Sequence, residues 1–334
     1  MTQFYNWLYD YISPIFGYIM LAIYNFVGGV GGYALALILF TILARTITLP
    51  TTISQQKGMA KQQRLAPKIR RIQERYAGNQ QKIQEETQAL YQREGYNPMS
   101  AGCLPMLIQM PIIIGLFGVM YNPLRYALGL GVDEINVIQE IFVKFAEASP
   151  EEAISSLIKK GSERYYPMYI IQHFDAFKGS LAGKVSEDTI NAISTFVAEK
   201  KFELFGLQMG VKPNFKVFDR YWIIPILSGI TSFAQSFIMQ AQQKKMNPAM
   251  GKNPANGCMT VFMPLMSVYF TFLFPAGIGI YWIVSNIYST VQSYLMKKFR
   301  GPQVEIAKLM VKETVERRSR ENSLKQAADY TESK

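Results

Sequence analysis

Four long stretches of this chain carry no charge, and they constrain its fold more than any other feature. Between Asp10 and Arg45 lie 34 uncharged residues, and between Glu94 and Arg125 lie 30. Between Arg220 and Lys244 lie 23, and between Lys252 and Lys297 lie 44. A helix that crosses a bilayer needs about 20 mostly apolar residues. At about 1.5 Å per residue the last run would be about 66 Å long as one helix, twice a hydrocarbon core, so it must fold back. Phe274-Pro275-Ala276-Gly277 is the expected turn. A purely soluble chain is excluded.

The expected fold is therefore all-α: a polytopic membrane protein with five transmembrane helices, an N-terminal interfacial helix and a cytoplasmic helical hairpin. The spans fall in 30–50, 101–121, 220–243 and, as a hairpin of two, 259–296. Residues 1–29 contain no Lys or Arg, which argues against a cleaved signal peptide. Asn6, Asp10, Ser13 and Gly17 recur at helical spacing, with Phe4, Leu8, Tyr11, Ile15 and Ile19 around them. That narrow polar face suits a helix lying in the membrane interface. A first crossing over 11–29 is the alternative.

Charge between the spans sets the orientation. Residues 51–100 hold nine basic and four acidic residues, and their helical pattern breaks at Ala77-Gly78-Asn79 into a hairpin. The loop 244–258 carries Lys244, Lys245 and Lys252, and the tail 297–334 holds ten basic and six acidic residues. The loop 122–219 has 11 basic against 13 acidic. Five spans with the N-terminus outside and the C-terminus inside put every positive segment in the cytoplasm. A sixth span at the start would change only the side of the N-terminus. Within 122–219, Ser149-Pro150-Glu151-Glu152 reads as a capping box and Ser186 as the cap of a further helix. The tail reads as one charged helix with a disordered end.

The chemistry is narrow. There is one histidine, His173, and there are two cysteines, Cys103 and Cys258. Neither CxxC, HExxH, GxxxxGK[ST] nor GxSxG occurs, so no catalytic, cofactor-binding or metal-binding residues are expected. The two cysteines read as reduced packing residues at the ends of apolar runs.

Polar residues inside the spans are more informative. Arg45 lies one to two turns before Pro50, and Thr41 shares its face. Gln109 sits at similar depth in the second span and Gln235 in the third. Ser228, Thr231 and Gln235 form one stripe; Asn286, Ser289, Thr290 and Gln292 form another. Arginine inside a bilayer costs a few kcal/mol on insertion scales. A hydrated cavity in the inner half of the membrane, with Arg45 as its charge, would relieve that cost. Snorkelling of Arg45 and close packing of small residues are the plain alternative. No Asp or Glu lies within the spans, so the anion for Arg45 is expected to arrive from elsewhere.

Three motifs carry a resemblance. Gly102-Cys103-Leu104-Pro105-Met106-Leu107-Ile108-Gln109-Met110-Pro111-Ile112 resembles the second conserved span of the YidC family of membrane protein insertases. Phe274 to Asn286, FPAGIGIYWIVSN, resembles its last span. Arg45 before Pro50 and the basic hairpin beginning Gln55-Gln56-Lys57 are similar to its first conserved span and cytoplasmic hairpin. The likeness covers about 30–121 and 215–300. It implies a non-enzymatic insertase of the bacterial plasma membrane, with a hydrophilic groove open to the cytoplasm and closed to the outside. Arg45 corresponds to the family's arginine, Gln109 lines the groove, and Tyr281 and Trp282 lie on the span that contacts substrate. The implied partners are newly made membrane proteins and lipid, with the Sec translocon and ribosome beyond them, and no DNA. The short chain resembles the Gram-positive type, and residues 133–199 look inserted.

Two other functions compete. A secondary transporter of a small anion would use Arg45 as its site, but internal repeats are faint. A membrane enzyme lacks the His, Cys and carboxylate constellations.

Overall fold

The computed structural model describes residues 2–27, 32–96, 104–158, 162–246, 254–299 and 302–332. The expectations for Cys103, for the side chain of Cys258 and for Lys252 fall outside what is described. The chain forms two units, Met1–Ile47 with Met106–Ile238 and Gly257–Ser289, and Thr48–Pro105 with Met239–Asn256 and Thr290–Lys334.

The first unit begins with α1 (Thr2–Val27) and α2 (Gly32–Ile47). In the second, α3 (Leu49–Arg75) and α4 (Gln80–Arg93) form the helical hairpin. Pro50 sits in the first turn of α3, where its missing N–H costs nothing. The Asn79 side chain caps α4 by accepting from the Lys82 N–H at 3.1 Å. Glu94, just past α4, accepts from Arg64 at 3.1 Å and also from Lys68, which ties the end of α4 back to α3.

The chain continues with α5 (Leu104–Tyr121), α6 (Val132–Ala148), α7 (Tyr166–Phe177) and α8 (Glu187–Ala198). A two-stranded hairpin follows, β1 (Glu203–Leu204) with β2 (Leu207–Gln208). Then come α9 (Ile223–Met246), α10 (Pro254–Leu273), α11 (Ala276–Phe299) and α12 (Pro302–Glu332). In the second unit α12 lies along α3. The tail is thus helical to Glu332, further than the sequence suggested.

The described residues between 132 and 198 pack into a helical cluster. Ile138 and Phe142 of α6 pack with Ile170, Phe174 and Phe177 of α7 and Ile193 of α8, all buried. Ser186 caps α8 by accepting from the Thr189 N–H at 3.2 Å. The expected capping box at Ser149 does not form. Ser149 Oγ instead accepts from the Glu151 N–H at 3.3 Å, and only the single turn Glu152–Ser155 follows. A serine two residues before the amide it binds makes a local turn that competes with a helix start.

The strand pair was not legible in advance. It turns through Phe205 and Gly206, with φ of 50° and 75°, the doubly left-handed geometry of a tight hairpin. Its flanks close two helix starts. The Lys201 carbonyl accepts from the Tyr33 N–H at 2.7 Å, and the Val211 and Met209 carbonyls accept from Ala276 and Gly277, each at 2.9 Å. These are orphan amides of the first turns of α2 and α11. The hairpin therefore pins both helices at the same end.

By length and composition the described helices match the expected spans in part. Among the described residues, Asp10–Val27 and Arg220–Ala241 are long and apolar enough to cross a membrane. A third crossing arises if Gly32–Ile47 and Leu49–Gln55 are counted as one broken span. Gln109–Tyr121 and Thr260–Leu273 are shorter apolar helices. The five expected spans are thus not each matched by a continuous apolar helix. In α11 the polar residues Ser285, Asn286, Ser289, Thr290 and Gln292 dilute the apolar run.

In α1 the polar residues of the sequence stripe divide between buried and exposed positions. Ser13 and Gly17 are buried, whereas Asp10 is exposed, as are Tyr11, Ile15, Tyr18 and Phe26. A Cβ at Gly118 of α5 would lie 2.0 Å from Ser13 Oγ, and one at Gly17 would lie 2.1 Å from the Tyr126 ring. Small residues let the helices approach to backbone distance, and Met20 is buried beside them while Phe16, Ile19 and Ile23 pack against the core.

Candidate functional site

Within the first unit, polar side chains link five helices in one layer. Arg45 comes from α2, and its half-buried side chain reaches α11. Its Nε donates to Ser285 Oγ at 3.0 Å, and its guanidinium carbon lies 6.0 Å from the centroid of the Tyr281 ring. Tyr281 and Ser285 are four residues apart and so share one face of α11. Both are buried, each 1% exposed. From α5, Gln109 Nε2 donates to the Tyr281 hydroxyl at 2.9 Å. Tyr281 is thus touched from α2 on its ring and from α5 on its hydroxyl. One turn toward the end of α2, Thr46 Oγ1 pairs with the Tyr288 hydroxyl at 3.0 Å.

The neighbouring Asn286 carries the layer to α9. Its Nδ2 donates to Ser232 Oγ at 2.8 Å and to Thr231 Oγ1 at 3.2 Å. Ser232 and Ser228 then meet Ser267 of α10 at 3.0 and 2.9 Å. In apolar surroundings a hydroxyl without a partner is costly, and these serines satisfy one another. The partners of Arg45 described above are a neutral hydroxyl and an aromatic face. A cation over tyrosine gains about 0.5 to 2 kcal/mol, more as water is excluded.

The remaining expected residues differ. Thr41 is fully buried, and its hydroxyl donates to the Leu37 carbonyl at 2.7 Å, so its proton serves its own helix. Trp282 is half-buried, with its ring 6.0 Å from both Phe270 and Phe274. Gln235 is half-buried three residues beyond Ser232 and makes no hydrogen bond to this layer. Gln292 belongs to the second unit. Ser285, Ser232 and Ser267 were not singled out from sequence. Only the i, i+4 spacing of Ser285 from Tyr281 hinted at it. Among the described residues no three His, Cys, Asp or Glu side chains gather where they could hold a metal ion.

Known proteins share this arrangement of sequence. The model of the 60Kd inner membrane protein family matches residues 23–303. Membrane protein insertase MisCA of Bacillus subtilis is 27% identical over 277 residues, covering 82% of this chain and 72% of the relative. Membrane protein insertase YidC 2 of Bacillus anthracis is 26% identical over 280 residues, covering 83% and 75%. Inner membrane protein PPF-1 of Pisum sativum, a chloroplast protein, is 30% identical over 271 residues, covering 80% and 49%. The chain spans about half the length of the chloroplast relatives and most of the length of the two Bacillus proteins. With the family model matched over most of its length, this chain belongs to the 60Kd inner membrane protein family, that of the YidC insertases.

Proposed function

We propose that this protein is a membrane protein insertase that moves hydrophobic segments of client proteins into the bilayer. The observation that carries this reading is the family match over 23–303, with relatives named as insertases along four fifths of the chain. The polar layer supports it physically. A client segment carries polar flanks that lipid rejects, and a layer of hydroxyls, amides and one guanidinium offers them partners.

In this reading the layer from Arg45 through Tyr281 and Gln109 to Asn286 lines a hydrated groove open to the cytoplasm. Arg45 supplies its positive charge, and Trp282 and Gln235 flank the client. Coulomb attraction is stronger there than in bulk water, so an acidic client residue is drawn in and later released. Apolar burial of the client helix in lipid is the driving force, and no nucleotide is used. The basic segments 51–100, 244–258 and 297–334 face the bacterial cytoplasm, and five spans lie between residues 30 and 296. The apolar length of Asp10–Val27 favours a sixth crossing, which would move the N-terminus inside. Newly made membrane proteins and lipid are the partners, with the Sec translocon and the ribosome as further ones.

The test is reconstitution of the purified protein into liposomes with a short client and no nucleotide. Protease protection of the client, above that in protein-free liposomes, is expected. Equal protection in both would overturn the insertase reading.

A further inference from the structure

We propose that the segment 211–222 is a lipid-headgroup anchor, in which aromatic side chains enter the interface of one leaflet and cations bind its phosphates. The inference rests on the reading that α9 crosses the membrane.

The segment is built as a fixed platform. Trp222 Nε1 donates to the carbonyls of Asn214 at 3.0 Å and Val217 at 2.8 Å, which closes the loop on the indole. Asp219 accepts from the Tyr221 N–H at 3.0 Å and starts the turn into α9. Around the indole lie Phe215 at 5.8 Å, Phe218 at 5.1 Å and Phe272 of α10 at 5.0 Å. Despite this order the outer rings stay bare: Phe215 is 71% exposed and Phe218 80%. Phe205, at the tip of the strand pair, is 97% exposed. A folded loop that holds its aromatics outward is arranged to meet an apolar medium.

Two features identify that medium as lipid. The exposed apolar surface continues without a break into α9 through Ile223, Ile226, Leu227 and Ile230, and Arg220–Ala241 is a candidate span. The aromatics therefore sit at the end of a lipid-length stripe, where an indole suits the interface and apolar phenyl rings can be buried at the headgroup–acyl boundary. The charge also fits. Lys212, Lys216 and Arg220 alternate with the aromatics and are exposed, and Asp219 is the one acid, so 211–222 has net charge +2. The wider loop 122–219 has 11 basic and 13 acidic residues, net −2. Positive charge is thus concentrated beside the aromatics, where it complements lipid phosphate.

The test uses full-length protein in phospholipid vesicles, with Cys103→Ser and Cys258→Ser as background. Single spin labels are placed through Phe205→Cys, Val217→Cys, Phe218→Cys, Ile230→Cys and Glu140→Cys. Collision with oxygen reports lipid, and collision with a nickel chelate reports water. Labels at 205, 217 and 218 are expected to favour oxygen less than 230 and more than 140. Adding Lys212→Gln, Lys216→Gln and Arg220→Gln is expected to shift 217 and 218 toward the chelate. Chelate access at 217 and 218 equal to that at 140 overturns the anchor. Shielding from both reagents overturns it too, because a protein then covers the site. If 230 itself meets the chelate, the crossing of α9 fails and the anchor falls with it.

Discussion

The guanidinium carbon of Arg45 lies 6.0 Å from the ring centroid of Tyr281, on a different helix 236 positions along the chain. The contact joins α2 to α11 within the first unit. It also gives Arg45 two separable properties, a charge and a packing role.

Those properties lead to opposite expectations for two substitutions. Arg45→Lys keeps the charge and loses the Nε bond to Ser285, at a cost of about 1 kcal/mol. Most insertion activity should remain. Arg45→Ala removes both and should abolish insertion of a client with acidic residues while sparing a neutral one. Insertion of one client with and without its acidic residues, at matched protein levels, checks this. Equal loss for both clients would leave Arg45 a structural residue only.

Tyr281→Phe keeps the ring beneath Arg45 and deletes the acceptor of Gln109. A polar group left without its partner costs about 1 to 3 kcal/mol when buried, and half-buried Gln109 should fall near the lower end. Thermal stability in detergent should drop, and Gln109→Leu on the same background should restore part of it. A double-mutant cycle on the melting temperature measures the coupling, and strict additivity would refute a direct bond.

Gly118→Val should separate α1 from α5, because a Cβ there would lie 2.0 Å from Ser13 Oγ. Overpacking of this kind costs about 1 to 3 kcal/mol. Ser13→Gly should recover part of the loss. Disulfide crosslinking between α1 and α5 in membranes, before and after each change, reads the separation. Unchanged crosslinking in Gly118→Val would mean the helices do not touch there.

In the hairpin unit, the Lys68 bond, with Arg64 beside it, holds the Glu94 carboxyl below its ordinary value of 4.5. Because the folded-state value is lowered, the cluster contributes fully above the ordinary 4.5, and the contribution is lost as pH falls from there through the lowered value. Protection of the α3 and α4 amides, taken against their intrinsic exchange rates, should therefore fall on acidification below about 4.5. Glu94→Gln should remove that step and leave exchange uniformly faster. An identical acid step in Glu94→Gln would assign it to another group.

Much of the architecture follows from composition along the chain. Uncharged runs, Pro50, Asn79 and the Phe274-Pro275-Ala276-Gly277 turn determine where helices begin and end, because each acts through local backbone chemistry. Arg45, Gln109 and Asn286 stood out because polar groups are rare in apolar runs. Local pattern could not say which way a face turns. Ser13 and Gly17 look the same in sequence whether they meet water or a neighbouring helix, and only packing against Gly118 and Tyr126 decided it. The partners of Arg45 were equally hidden. Ser285 and Tyr281 become its neighbours only when α2 and α11 pack side by side, and no spacing rule spans that distance in sequence. Composition along the chain marks the residues too polar for lipid, whereas their pairing, Arg45 with Ser285 and Asn286 with Ser232, arises only where helices distant in sequence pack together.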